Sequence, residues 1–296
     1  MTNYLKWPTE PDSQPVSRWH HPASNLCLDF HGDPAKAELV VYSDGNHHMA
    51  LAELIASFQQ QTPELSQFFY ATTPPSVILK IIEHGQLQMG NLVVSRQPHV
   101  FISPENIVQK VIQMGKATKY QAFMQSQGNV LLVRKGNPKS INSLHDLLRD
   151  DVTLFISNPV TESASHVVYK ETLLDVGQEL NIKDGIAAKL DADCPSLLYG
   201  ECIHHRELPQ ALYDGRADVA VVYYHLALRY SRIFADDFSF MSLAGGDINS
   251  EVGNQQTTYH ITCLNEAGSF GELFLAYCFS DEATEIYRRH GLLRAG

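Results

Sequence analysis

The feature that most constrains the fold is a unit of apolar strand, polar turn and amphipathic helix, which occurs three times. In the first copy, residues 39–42 (LVVY) are apolar, residues 43–48 are polar, and apolar side chains then recur with a helical period as far as Phe58. The later copies start at Phe68 and at Val152. Alternating strands and helices predict an α/β fold with parallel-dominated sheets flanked by helices.

The polar turns are candidate ligand sites, because ligands of parallel sheets bind at the carboxyl ends of the strands. A strand that turns into a helix directs backbone N–H groups and the positive end of the helix dipole at one place, which favours small anions. Two histidine pairs lie beside predicted helices, His47-His48 and His204-His205. Imidazoles donate hydrogen bonds or bind metals, so both kinds of ligand stay open.

Length and charge exclude several classes of protein. The 296 residues, 44% of them hydrophobic, are enough for two domains or lobes. The net charge of −11, with only 22 Lys and Arg residues, argues against a nucleic-acid partner. No apolar run approaches about 20 residues, so we expect no transmembrane helix. The five cysteines include no C-x-x-C pair, which argues against a disulfide framework or a Cys-only zinc site.

The sequence also lacks the common catalytic motifs. We find no G-x-S-x-G, no P-loop and no G-x-G-x-x-G after a strand. We therefore expect a protein that is not an enzyme and requires no cofactor.

The order of several segments resembles the type II periplasmic solute-binding proteins, closest to the molybdate/tungstate-binding branch of the ABC transporter substrate-binding proteins. These segments are GNLVVSRQPHVFISPENI from Gly90, LLVRKGNPKSINSLHDLL from Leu131, the turn at Asn158-Pro159, LPQALYDGRADVAVVY ending at Tyr223, and LAYCFSDEATEIYRRHGL from Leu275. The resemblance covers residues 39–293. It implies two α/β lobes with a ligand cleft between them. The expected domains are an irregular arm (1–36), lobe 1 (37–127 and 240–296) and lobe 2 (128–239).

The resemblance implies a set of ligand contacts, carried over by position. Asn46 stands where the family usually has serine, beside His47. The remaining contacts are expected at Thr73, Thr161, Glu162, Ser163, His205 and Tyr223. Local roles compete with these assignments. Asp44 and His205 are also suited to cap the helices that follow them, and Tyr223 to pack in the core with its hydroxyl bonded.

The expected function is capture of a small ligand by closure of the two lobes, by a monomer that delivers it to a membrane transporter. A bound tetrahedral oxyanion such as molybdate or tungstate is the first candidate. A transition metal ion is the second, since His47, His48, His204 and His205, with Glu162 nearby, suit Zn²⁺, Ni²⁺ or Cu²⁺. A small organic solute is the third.

The expected location is open as well. The resemblance implies a periplasmic protein, but the polar, proline-containing N-terminal residues lack the apolar core of a signal peptide. An intracellular ligand sensor is therefore the alternative role.

Overall fold

The computed structural model describes residues 29–73, 75–89, 92–201, 203–247 and 251–296. Most of the predicted arm, residues 1–28, lies outside these ranges. The rest of that arm is not all irregular, because Asp29–Gly32 forms a strand that pairs antiparallel with Phe68–Thr72. The described residues divide into two compact units. Unit A comprises residues 29–125 and Thr258–Gly296, and unit B comprises Ser126–Thr257.

Unit A contains a seven-stranded sheet in the order β1-β3-β2-β6-β13-β7-β14 and a small hairpin, β4-β5. Its strands are β1 (Asp29–Gly32), β2 (Leu39–Ser43), β3 (Phe68–Thr72), β4 (Leu87–Met89), β5 (Leu92–Val94), β6 (Val100–Pro104), β7 (Gln121–Ser126), β13 (Thr258–Cys263) and β14 (Leu292–Arg294). Its helices are α1 (His48–Gln61), α2 (Pro75–His84), α3 (Glu105–Gln113), α8 (Gly268–Cys278) and α9 (Asp281–Arg289).

Unit B contains a five-stranded sheet in the order β10-β9-β11-β8-β12. Its strands are β8 (Asn129–Arg134), β9 (Leu154–Ile156), β10 (Leu197–Tyr199), β11 (Val219–Tyr223) and β12 (Phe238–Met241). Its helices are α4 (Ser163–Glu179), α5 (Lys183–Lys189), α6 (His204–Tyr213) and α7 (Tyr224–Ile233), with a 3-10 helix at Leu144–Leu148.

The predicted α/β class is confirmed, and each sheet mixes parallel with antiparallel pairs. Parallel pairing joins β2 to β3 and β6, and β9 to β10 and β11. Strands β1, β8, β12 and β13 pair antiparallel with their neighbours. The predicted polar turns follow the parallel strands β2, β3 and β9, and the carboxyl ends of parallel strands meet at one edge within each unit.

Strand β2 shows why its sequence is a continuous apolar run. All five of its residues are buried. Leu39 and Val41 belong to one hydrophobic cluster of unit A, with residues of α1, α8 and α9, whereas Val40 and Tyr42 belong to another, with residues of α2 and α3. Successive side chains of a strand point to opposite faces, and helices cover both faces here.

The chain passes between the units at residues 125/126 and 257/258. The sequence placed these divisions at 127/128 and 239/240, so the second one lies later than expected. Strand β12 keeps residues 238–241 in unit B by pairing with β8, and Asn254 holds the following segment there through hydrogen bonds to Asn129.

The described part of the chain includes no helix that is both long and apolar enough to cross a lipid bilayer.

Candidate functional site

In unit A, the predicted polar turn after β2 folds around the carboxylate of Asp44. This carboxylate accepts a hydrogen bond from the Asn46 N–H at 2.9 Å and caps a short 3-10 helix, Gly45–His47. Asp44 thus caps this 3-10 helix and not α1, whose N-cap is His47. Burial raises the pKa of Asp44 to about 6. The backbone N–H of Asn46, a predicted ligand contact, is thus already bonded to a carboxylate of the chain.

Two buried hydroxyls lie at the same edge of the unit A sheet. Thr73 follows β3 and donates its N–H to the Ser43 carbonyl at 3.1 Å, and Ser103 lies near the end of β6. Both residues are fully buried. Neither hydroxyl oxygen has a hydrogen-bond partner within the described ranges. An unpaired buried polar group destabilises a fold, so these oxygens are candidates for ligand contacts.

His47 lies in the core of unit A. Its Nε2 is 2.9 Å from the Ser43 hydroxyl and its Nδ1 is 3.1 Å from the Tyr287 hydroxyl. Burial lowers the pKa of His47 to about 3, so the ring is neutral at physiological pH. His48 begins α1, and its Nδ1 lies 2.9 Å from the Gly45 carbonyl oxygen. Both ring nitrogens of His47 therefore lie within hydrogen-bonding distance of hydroxyl groups of unit A, those of Ser43 and Tyr287.

In unit B, polar groups gather at the carboxyl end of β9 and β11. Ser157 follows β9, and Asn129 lies opposite Tyr223 in the β8–β11 ladder. The Ser157 hydroxyl and the Asn129 side-chain carbonyl are buried and unpaired among the described residues. The Tyr223 hydroxyl is 3.0 Å from the Thr257 hydroxyl. Tyr223 is buried in the core of unit B, and its role as a ligand contact stays a prediction.

The turn before α4 brings a carboxylate to the start of α6. Asn158 fastens this turn, since its Nδ2 donates to the Gly200 carbonyl at 3.1 Å and its Oδ1 accepts the Val160 N–H at 2.8 Å. Glu162 then accepts the backbone N–H of His204 at 2.5 Å. A helix start with a bound carboxylate is chemically an anion site. Here the anion belongs to the chain itself.

The histidines of α6 are buried to different degrees. His204 stacks on Phe155 at 5.3 Å, and burial lowers its pKa to about 3. Its Nε2 has no partner in the ranges that the structure describes. The pKa of His205 also lies well below its usual value, first because of burial and then because of Arg206, His204 and Arg229 nearby. Both histidines are therefore neutral in the folded protein at physiological pH.

The other predicted contacts lie on the surface of the same turn. Thr161 and Ser163 are exposed, and Glu162 is half-buried. Thr161 donates its N–H to Asn158 at 3.3 Å. Within the described residues, no group of three or more His, Cys, Asp or Glu side chains is placed to hold a metal ion.

Three of the buried polar residues were not predicted from the sequence as site residues, namely Ser103, Asn129 and Ser157. Each is a polar residue at the beginning or the end of an apolar strand, but many strands are bounded by polar residues. The tertiary structure distinguishes them by burial without a partner.

The chain is similar to a known protein family and to several solved structures. The family described as bacterial extracellular solute-binding protein matches residues 39–293. No curated protein matches the chain. Among solved structures, Peb3 from Campylobacter jejuni has a TM-score of 0.62 at 16% identity, covering 87% of this chain and 100% of its own. PEB3 has also been solved with bound L-phospholactate.

Two further structures are similar. The periplasmic molybdate-binding protein of Azotobacter vinelandii has a TM-score of 0.57 at 14% identity, covering 88% of this chain and 100% of its own. Iron-bound HitA from Pseudomonas aeruginosa has a TM-score of 0.55 at 13% identity, covering 84% of this chain and 82% of its own. At such identities the likeness concerns the fold.

Proposed function

Since the chain belongs to the bacterial extracellular solute-binding family, we propose that it captures a small oxyanion, with molybdate and tungstate as the first candidates. In this proposal, the buried polar groups at the strand ends supply the ligand contacts within each unit. The proposal concerns binding, not catalysis.

One observation carries the choice of an anion. The start of α6 already binds a carboxylate, that of Glu162, through the N–H of His204. Arg206 and Arg229 lie close enough to lower the pKa of His205, so guanidinium groups lie near this helix start, together with the carboxylates of Glu162 and Glu207. A backbone N–H, a helix dipole and nearby guanidinium groups all favour an anion over a cation.

The hydroxyls support the same class of ligand. Thr73, Ser103 and Ser157 present buried oxygens that lack a partner in the part of the chain described. A hydroxyl donates a hydrogen bond to an oxyanion without adding a full charge. By contrast, His47, the first predicted metal ligand, has both ring nitrogens bonded within unit A, which favours the oxyanion over a metal ion.

Similar proteins illustrate the ligand range. One of them binds molybdate, one was solved with L-phospholactate and one with iron. Two of these three ligands are anions, one an inorganic oxyanion and the other a small organic phosphate. We further propose that the chain acts outside the cytoplasm and hands its ligand to a membrane transporter, as its family description implies.

A thermal-shift panel tests the proposal, with molybdate, tungstate, sulfate, phosphate, Zn²⁺, Ni²⁺ and Cu²⁺ each added to the purified protein. A ligand at 100 times its Kd stabilises the folded state by about 2.7 kcal/mol. We expect stabilisation by an oxyanion, and a Thr73→Val variant that binds it roughly 10- to 100-fold more weakly, since a hydrogen bond to a charged group is worth about 1.5–3 kcal/mol.

Thr62→Val is the matched control, because Thr62 lies at the C-terminal end of α1, away from the polar turn that precedes this helix. This variant should bind the oxyanion with wild-type affinity. Stabilisation by a metal ion alone would contradict the oxyanion proposal, and so would a Thr73→Val variant with unchanged affinity.

A further inference from the structure

We propose that Glu162 is an internal competitor of the ligand: its carboxylate occupies the anion position at the start of α6, and a bound oxyanion displaces it. This inference rests on the proposed function and assigns a regulatory residue to the same site. It concerns unit B alone.

The first support is the path of the Glu162 side chain. Glu162 is the residue before α4, a position from which a side chain normally caps its own helix. It makes no such hydrogen bond, and its Oε2 accepts the N–H of His204, 42 residues further along the chain. The carboxylate therefore serves α6 instead of α4.

The second support is that a local carboxylate accepts two other backbone N–H groups of this turn. Glu207 accepts the N–H of Glu201 at 2.7 Å and that of Ile203 at 2.6 Å. Glu207 lies within α6, so it is an ordinary helix cap. The donor at His204 is the one that a distant carboxylate fills.

The third support is an unpaired polar atom on the same turn. Ser157 is fully buried, and its hydroxyl has no partner among the residues described. It directly precedes Asn158, whose amide is bonded to Gly200 at the approach to α6. The carboxylate of Glu162 accepts the N–H of His204, whereas the Ser157 hydroxyl, at the beginning of the same turn, has no partner among the described residues. A tetrahedral anion has more acceptor oxygens than a carboxylate and suits such a set better.

The Glu162 carboxylate and a bound oxyanion cannot both occupy the position at the His204 N–H, because both are negatively charged. Two negative groups on one N–H would repel each other strongly in a partly buried place. A bound oxyanion must therefore move Glu162 away, and the measured affinity of the wild type is reduced by the work of that displacement. The arginines near His205 favour both anions alike, so they do not relieve the competition.

The test is isothermal titration calorimetry with tungstate on wild type, Glu162→Gln and Glu201→Gln. The glutamine keeps the shape and an oxygen that accepts the His204 N–H, but removes the charge. We expect Glu162→Gln to bind tungstate at least tenfold more tightly than wild type. Glu201→Gln removes a charge from the exposed residue next to this turn, and it should change the affinity less than twofold.

A second variant guards against misfolding of the first. Glu162→Asp keeps the charge but shortens the side chain by one methylene, so its carboxylate no longer reaches the His204 N–H. It should also bind tungstate more tightly than wild type, though by less than Glu162→Gln.

The outcomes separate this inference from the proposed function. Tungstate binding to wild type with no gain in either Glu162 variant would overturn the inference and leave the proposed function standing. An equal gain in Glu201→Gln would overturn it too, since the effect would then be one of general charge. Absence of binding by molybdate, tungstate, sulfate and phosphate to every variant would overturn both proposals.

Discussion

At the scale of single residues, burial decides which groups near the strand ends carry charge. It lowers the pKa values of His47 and His204 to about 3 and raises that of Asp44 to about 6. The two histidines are therefore neutral hydrogen-bonding groups in the folded protein, although sequence alone offers them as cations or metal ligands.

We expect the free energy of unfolding to fall as the pH decreases from 6.5 towards 4. The unfolded histidines take up protons near pH 6.5, whereas folded His47 and His204 stay neutral down to about pH 3. Each such group costs about 1.4 kcal/mol per pH unit in this window. Asp44 acts in the opposite direction between pH 3.8 and about 6, because its folded pKa is raised, and it offsets one of the two histidines.

Urea denaturation of wild type and His47→Gln at pH 7, 6 and 5 measures this dependence. The variant should lose stability less steeply as the pH falls. His84→Gln is the control, since His84 is an exposed histidine of the same unit, and it should keep the wild-type slope. Equal slopes for His47→Gln and wild type would contradict the prediction.

At the scale of elements, α6 contains a proline that shapes its surroundings. Pro209 has no N–H to donate to the carbonyl four residues earlier, that of His205. The Tyr230 hydroxyl of α7 donates to this carbonyl instead. The missing helix hydrogen bond is thus replaced by a contact that joins α6 to α7, next to the proposed ligand position.

We expect Tyr230→Phe to destabilise the protein by about 1–3 kcal/mol, because it leaves the His205 carbonyl without its donor. In a Pro209→Ala background the new alanine N–H can serve this carbonyl, so the same Tyr230→Phe change should cost less. Chemical denaturation of the four proteins of this double-mutant cycle measures the coupling. Equal costs in the two backgrounds would show that the pair is independent.

At the scale of the whole molecule, one asparagine helps decide where unit B ends. The Asn254 side chain accepts the Asn129 N–H at 2.7 Å and donates to the Asn129 carbonyl at 2.9 Å, as a neighbouring strand would. This contact holds the segment before Thr257 against the start of β8. The second passage between the units therefore follows this segment.

We expect Asn254→Ala to increase hydrogen exchange in residues 251–257 and at the start of β8, because it removes this pair of hydrogen bonds. The stability loss should be about 1–3 kcal/mol, the cost of leaving buried backbone groups unpaired. Exposed Asn265 of unit A is bonded to the Gly115 carbonyl, and Asn265→Ala is a control that should leave exchange in unit B unchanged. Unchanged exchange in residues 251–257 of Asn254→Ala would argue that β12 alone defines unit B.

The sequence by itself determined the α/β class and the run from β2 through α1. These features depend on residues that lie close together in the sequence, so the period of the apolar residues predicts them. The family resemblance added the ligand-binding class.

Only the tertiary structure decided the rest. His47 turns into the core towards Tyr287, Glu162 reaches a helix start 42 residues away, and Asn254 moves the end of unit B beyond the predicted position. Each of these outcomes depends on contacts between residues that are far apart in the sequence. The local pattern of apolar and polar residues does not predict such contacts, because they form only when the whole unit folds.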